Sequence, residues 1–218
     1  MHPLNPLQLH LVTASPLPGA GTQPHARLLA TFHAAAENGA DWIQVRDHQA
    51  SARDLFDLAR TVIRVCRPLG VRVAVNDRID VALAEGADGI QLGGRSLPAR
   101  AARELVGAIS IGVSVHSVAS AVQVEGADWI TFGHIFPTSS HPDATPRGVA
   151  ALAQAVEAVQ IPVIAIGGIG LRQVGSVITA GAAGIAVMSA ILDAPNPAHT
   201  TAQLRQALDR IARRCTPS

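Results

Sequence analysis

Two hundred and eighteen residues, 48% of them hydrophobic, supply enough apolar side chain for one full-sized core. Seventeen Lys and Arg against sixteen Asp and Glu leave a formal charge of +1, which excludes a bulk field that would draw the protein to nucleic acid or to an anionic membrane. Cys66 and Cys215, with no CxxC pair, exclude a disulfide framework and a structural zinc site, and no stretch approaches the ~18 apolar residues of a spanning helix. The N-terminal stretch MHPLNPLQLH has neither a basic n-region nor a long apolar run, so a reduced, cytoplasmic setting is expected.

Residues 7–13 (LQLHLVT) are rich in branched side chains and alternate loosely, which predicts a first strand. Residues 26–37 are helical in composition, and Asn38-Gly39 ends that helix, because glycine tolerates the left-handed backbone of a helix C-terminus. Strand two is expected over 42–46. A unit of helix, Gly-Ala-Asp and strand then recurs, at Gly39-Ala40-Asp41, Gly86-Ala87-Asp88 and Gly126-Ala127-Asp128, and in weaker form at Gly181-Ala182-Ala183. The odd strands fall between these copies, over 71–76, 109–113 and 163–166. Helices are expected over 51–67, 78–85, 99–106, 117–125, 149–158, 171–180 and 198–213. Strands such as VIAIGG and GIAVMS are apolar on both faces, as parallel strands covered on each side must be. Eight such units predict a single α/β domain over 1–218, a (β/α)8 TIM barrel, with a short extension at about 1–6 and a tail at about 214–218. A doubly wound open sheet is the alternative, and the regular Gly-Ala-Asp junctions weigh against it.

In such a barrel the chemistry sits at the C-terminal ends of the strands. The residues there are polar: Gln44 and Arg46 after strand two, Asn76-Asp77 after three, Gly93-Gly94 after four, Ser114 and His116 after five. His134 follows strand six, Gly167-Gly168 strand seven, and Met188-Ser189 strand eight. The last two loops are where barrels of this kind hold a phosphate, since glycines let backbone N–H groups approach the anion and a helix start presents more of them. Arg46 closes a buried strand and must meet a protein carboxylate or an anionic ligand. Within 129–148 (WITFGHIFPTSSHPDATPRG), Gly133 releases a short strand into a Pro, Ser and Thr segment and sets His134 just beyond it. That side chain either caps the strand or moves a proton near neutral pH. His116 is placed to cap the helix from Ser117, and His141 lies in the loop. His116, His134 and His141 lack the close spacing of a metal site, and none is expected.

The segments IQVRDH, VNDRIDVALAEGADGIQLG, IGVSVHS, FGHIFPT, IPVIAIGGI and GIAVMSAI together resemble the thiamine-phosphate synthase superfamily, which holds the synthase and the TenI-type thiazole tautomerases. The resemblance runs over nearly the whole chain. Its synthases join a pyrimidine diphosphate to a thiazole phosphate with the help of magnesium and of cationic groups. Here Ser96 stands at the acidic metal-ligand position, Ser139-Ser140-His141 replaces an Arg-Thr-Lys run, and His48 replaces a lysine. By contrast, FGH is similar to the tautomerases, whose histidine is the general acid/base. The resemblance therefore implies a thiazole tautomerase. His134 would take a proton from the carboxylate-bearing ring carbon of a dihydrothiazole carboxylate phosphate, and a proton would be delivered to the exocyclic carbon. On this reading the phosphate sits on Gly167, Gly168, Met188 and Ser189, Arg46, Asn76, Ser114 and Thr138 line the cavity, and no cofactor is needed. The alternatives are the synthase itself, which brings magnesium with it, and a non-catalytic phosphate-binding paralogue. The resemblance also implies a homodimer whose partner is a small thiazole phosphate. Asp77, which tautomerases need not keep, is read either as a relic or as an acceptor at the start of the next helix.

Overall fold

Eight short runs of branched and aromatic residues pair in parallel and in chain order until the last meets the first. They are β1 (Gln8–Val12), β2 (Trp42–Val45), β3 (Arg72–Asn76), β4 (Gly89–Leu92), β5 (Ser110–Val115), β6 (Trp129–Gly133), β7 (Val163–Ile166) and β8 (Gly184–Val187). The barrel closes through β1 and β8, in the register Leu9 to Ile185. This computed structural model describes residues 7–13, 15, 16, 19, 21–140 and 142–215. The expected N-terminal extension, the tail from 216 and His141 lie outside the described residues. The (β/α)8 barrel is the observed fold, and among the described residues no helix is long and apolar enough to cross a membrane.

The helices are α1 (Gln23–Glu37), α2 (Ala52–Cys66), α3 (Ile79–Glu85), α4 (Ala99–Val106), α5 (Val118–Val122), α6 (Gly148–Ala158), α7 (Val174–Thr179), α8 (Ser189–Leu192) and α9 (Pro197–Cys215). A 3-10 turn over Arg67–Leu69 was not expected from the sequence. The helix expected from 171 begins at Val174, because Gln173 first closes a turn by accepting the Gly170 N–H at 3.2 Å. α5 is likewise shorter than expected, and Ser117, not His116, caps it in a reciprocal box with Ser120. Helices and strands share an outer core in which Leu9, Leu11, Phe32, Ile43, Val45 and Phe132 are fully buried. α2 contributes one stripe, from Leu55 through Val62 to Cys66. Burial pushes the Cys66 thiol up to about 12, so it is a packing group and not a nucleophile.

The Gly-Ala-Asp repeat has a physical role at the bottom of the barrel. Its glycines at 39, 86 and 126 hold φ of +100°, +60° and +81°, the first two just past the ends of α1 and α3 and the third in the turn that leads into β6. Each aspartate then reaches back to the preceding strand. Asp41 accepts the Leu9 N–H at 2.7 Å, Asp88 that of Val73 at 2.9 Å, and Asp128 that of Ile111 at 2.6 Å. Arg205, Arg67 and Arg103 pair with the three carboxylates in turn. The fourth copy has Ala183 instead and keeps only the backbone bond to Val163.

Inside the barrel, His10, Trp42 and Trp129 form a ring cluster with centroids 5.2 to 6.0 Å apart, which plugs the N-terminal end. His10 is wholly buried, with Nε2 at 2.9 Å from Gln8 Oε1 and Nδ1 at 3.3 Å from Gln44 Nε2. Burial, aided by the Arg72 charge, lowers its pKa to about 3, so the imidazole stays neutral. The unfolded chain takes up that proton near pH 6.5, and folding stability is therefore lost as pH falls from there towards 3. Between pH 6.5 and 5 the parent should lose about 2 kcal/mol more than His10→Gln. Urea unfolding at the two pH values measures the difference, and parallel losses in both proteins would refute it.

Candidate functional site

A cavity of about 830 Å³ opens at the C-terminal ends of the strands. Arg46, Asn76, Ser114, His134, Thr138, Gly167, Gly168, Met188 and Ser189 all stand on its wall, brought together from six strand ends. Its floor is polar and buried: Gln44, Gln91 and Thr131 are each no more than 3% exposed.

On the β2–β4 wall the backbone of Arg46 is clamped by Thr13. The Thr13 hydroxyl donates to the Arg46 carbonyl and accepts the Arg46 N–H, each at 2.7 Å. Among the described residues the Arg46 guanidinium forms no ion pair, so of the two partners expected for it the carboxylate is missing and the cavity remains. Arg95, in the turn after β4, lines the same wall. His48 sits between them with Nδ1 3.4 Å from Asp77 Oδ2. Burial, together with the charges of Arg46 and Arg95, lowers its pKa against the pull of Asp77. Asp77 does not serve the helix start as expected. Its backbone is left-handed, at φ +60°, and its carboxylate accepts the Gly93 N–H at 3.2 Å and the Ser96 hydroxyl, tying β3 to the β4 turn. Asn76 Oδ1, beside it, is buried with no hydrogen-bond partner among the described residues, an acceptor left for a ligand to complete.

Across the barrel, the β7–β8 wall carries no charged side chain on the cavity but two left-handed glycines, Gly167 at φ +97° and Gly168 at φ +65°. A Cβ on Gly167 would strike the His134 side chain, and one on Gly168 would strike the Pro137 carbonyl. α8 starts beside them, and no side chain caps its first turn. Thr138 projects from the β6 loop to the same cavity.

His134 is 7% exposed, and its Nε2 lies 3.1 Å from the Ala144 carbonyl. The Arg147 N–H donates to the His134 carbonyl at 2.9 Å, and the Gly148 N–H to that of Ile135 at 3.1 Å. The neck of the β6–α6 loop is thus sewn together with His134 as one of the stitches. His116, just past the end of β5, reaches across to this strand end, with Nδ1 2.7 Å from the Gly133 carbonyl.

Among the described residues no three His, Cys, Asp or Glu side chains gather to hold a metal ion. Magnesium asks for less from a protein, one or two carboxylates with phosphate oxygens and water completing the shell. The Asp77 carboxylate, facing the cavity with the Ser96 hydroxyl against it, fits that requirement. Gln44, named at the end of strand two, lines the cavity, as do Arg95 and Gln91, which the strand-end reading did not place in the site. Arg95 was legible as the only charge in the Gly93-Gly94-Arg95-Ser96 turn, whereas Gln91 needed the pairing of β4 with β5.

Fold and cavity together define a (β/α)8 barrel built like those that hold a phosphate after strands seven and eight. Residues 10–191 match the family described as thiamine monophosphate synthase, and the chain belongs to that family. The thiamine-phosphate synthase of Pyrococcus abyssi is 40% identical over 179 residues, covering 81% of this chain and 86% of that protein. That of Chlorobium luteolum is 47% identical over 167 residues, covering 75% and 79%. The thiamine phosphate pyrophosphorylase structure from Pyrococcus furiosus superposes with a TM-score of 0.84 at 35% identity, over 95% of this chain and 98% of its own. These relatives indicate an enzyme, and they overturn the tautomerase expectation: proteins this similar carry the name of the synthase. The physical reason lies at His134. The FGH segment matched in residue type, but the imidazole it supplies is enclosed and bonded to its own loop.

Proposed function

We propose that the protein is a thiamine-phosphate synthase, a transferase that joins a pyrimidine diphosphate to a thiazole phosphate and releases pyrophosphate. One observation supports this beyond the names of its relatives: a single cavity has an anion-holding wall on each side, cationic at β2–β4 and glycine-rich at β7–β8. Two substrates carrying a diphosphate and a phosphate use both.

On this reading Arg46 and Arg95 hold the diphosphate, and the backbone of Gly168 and the first turn of α8 hold the thiazole phosphate. The two reacting groups then meet over the buried floor, where water is excluded and their approach is fixed by both anchors. The carbon–oxygen bond to the diphosphate breaks, and a carbon–nitrogen bond to the thiazole ring forms. Asp77 would hold magnesium, which would supply charge neutralisation for the departing pyrophosphate. A homodimer, as the family resemblance implies, belongs to the same proposal and is checked by its mass in solution, as does the cytoplasmic setting expected from the cysteines and the N-terminal stretch.

The test supplies both substrates with magnesium and follows thiamine phosphate and pyrophosphate together. The two products should appear one to one, and omission of either substrate should abolish both. No product over a wide magnesium range would overturn the proposal.

A further inference from the structure

The loop between β6 and α6 is held at its far limb by a side chain from the strand it leaves. Prolines at 137, 142 and 146 stiffen the loop and leave it few backbone donors of its own. Among the described residues, the segment 142–146 makes one hydrogen bond, and His134 supplies it, with Nε2 3.1 Å from the Ala144 carbonyl. A carbonyl only accepts. The ring nitrogen there therefore carries the hydrogen, in the neutral imidazole as in the charged one. The ring is set in place by its base, because His134 packs so closely on Gly167 that a Cβ at 167 would strike it. The neck of the loop has bonds of its own. The Ile135 and Phe136 N–H groups donate to the Ile166 and Gly167 carbonyls, and those of Arg147 and Gly148 to the His134 and Ile135 carbonyls, at 2.9 to 3.1 Å. The imidazole adds a tie beyond that neck.

The place of Ala144 bears on the ligand cavity through Thr138. Pro137, Thr138, Ser139, Pro142, Ala144 and Pro146 line a second cavity of about 530 Å³ between the two limbs of the loop. Thr138 lines both cavities, so the far limb is the wall behind it. We propose that His134 is a positioning residue, whose imidazole N–H sets the far limb of the loop and through it holds Thr138 on the phosphate wall. The role asks for a donor at one place and for no exchange of its proton. The inference rests on the transferase reading for its ligand, the thiazole phosphate.

The test compares His134→Gln, whose amide nitrogen stands in for Nε2 and donates, with His134→Leu and His134→Ala, two variants of different size that do not. Amide hydrogen exchange at Arg147 and Gly148 is read without ligand, and affinities for the thiazole phosphate and the pyrimidine diphosphate are read by calorimetry. Leu and Ala should both exchange several times faster at these amides. Both should bind the thiazole phosphate about tenfold more weakly, the worth of one hydrogen bond, with a much smaller change for the diphosphate. Gln should return both readouts towards the parent. A glutamine amide takes up no proton near neutral pH, so its rescue separates holding from proton transfer, and the agreement of Leu with Ala separates the bond from packing. Thermal melting checks that each variant is folded. A Gln variant as weak as Leu, exchange unchanged in Leu and Ala, or faster exchange with parent-like affinity for the thiazole phosphate would each overturn the positioning role while leaving the transferase reading standing. A parent protein that does not bind the thiazole phosphate overturns both.

Discussion

Arg46→Gln should lower kcat/KM for the diphosphate substrate by a factor of about 100, with the melting temperature nearly unchanged. The expected split comes from how residue 46 is built. Its backbone position depends on the Thr13 clamp and on the β1–β2 pairing, neither of which uses the guanidinium. The side chain lines the cavity and is tied to no carboxylate among the described residues, so no folded-state partner is orphaned when its charge goes. What is lost is the charge-assisted bond to the ligand, worth about 1.5–3 kcal/mol per bond, and more when the fork binds two oxygens. Arg46→Lys keeps the charge and loses the fork, and should fall between parent and Gln variant. Initial rates with each substrate varied in turn measure the effect. A kcat/KM within threefold of the parent for Arg46→Gln, or a loss confined to the thiazole phosphate, would remove Arg46 from the diphosphate wall.

The same wall shows what the sequence could and could not carry. The eight strands and the longer helices between them were legible, because hydrophobic period and Gly-Ala-Asp punctuation are local signals, and α4 and β7 fall on the expected residues, whereas the 3-10 turn over Arg67–Leu69 and the four-residue α8 were not. The cavity lining was legible because in this topology a residue at a strand end points to one place. The roles of those residues were not, since they depend on partners distant along the chain. Ser96 drew attention as a missing carboxylate. Its hydroxyl in fact rests on the Asp77 carboxylate, and Arg95 beside it brings the wall a second arginine. The absent lysine at His48 therefore removes less positive charge from the wall than the aligned residue suggested. His134 shows the same limit from the other side: its partner, Ala144, lies across a loop whose closure only the backbone bonds at 147 and 148 reveal.

Gly168→Ala should cost about 2–4 kcal/mol of stability and raise KM for the thiazole phosphate more than tenfold, with a much smaller change for the diphosphate. Two penalties add at this position. A left-handed backbone at φ +65° costs an alanine about 1–2 kcal/mol by itself. The new methyl group would also press on the Pro137 carbonyl and come within 2.8 Å of Phe136 Cβ, where the neighbours are largely backbone and cannot rotate away. That backbone is held in turn, since the Ile135 and Phe136 N–H groups donate to the Ile166 and Gly167 carbonyls at 2.9 and 3.1 Å. Relief therefore requires β7 and the β6 loop to move apart, which displaces Gly167, Gly168 and Thr138 from the phosphate wall together. The opposite wall, on β2 to β4, shares none of these contacts and should keep its ligand. Denaturant unfolding gives the stability loss, and steady-state kinetics with each substrate varied gives the asymmetry. A variant destabilised as expected but with the thiazole phosphate KM unchanged would show that the double glycine serves packing alone, and would move the phosphate to the first turn of α8.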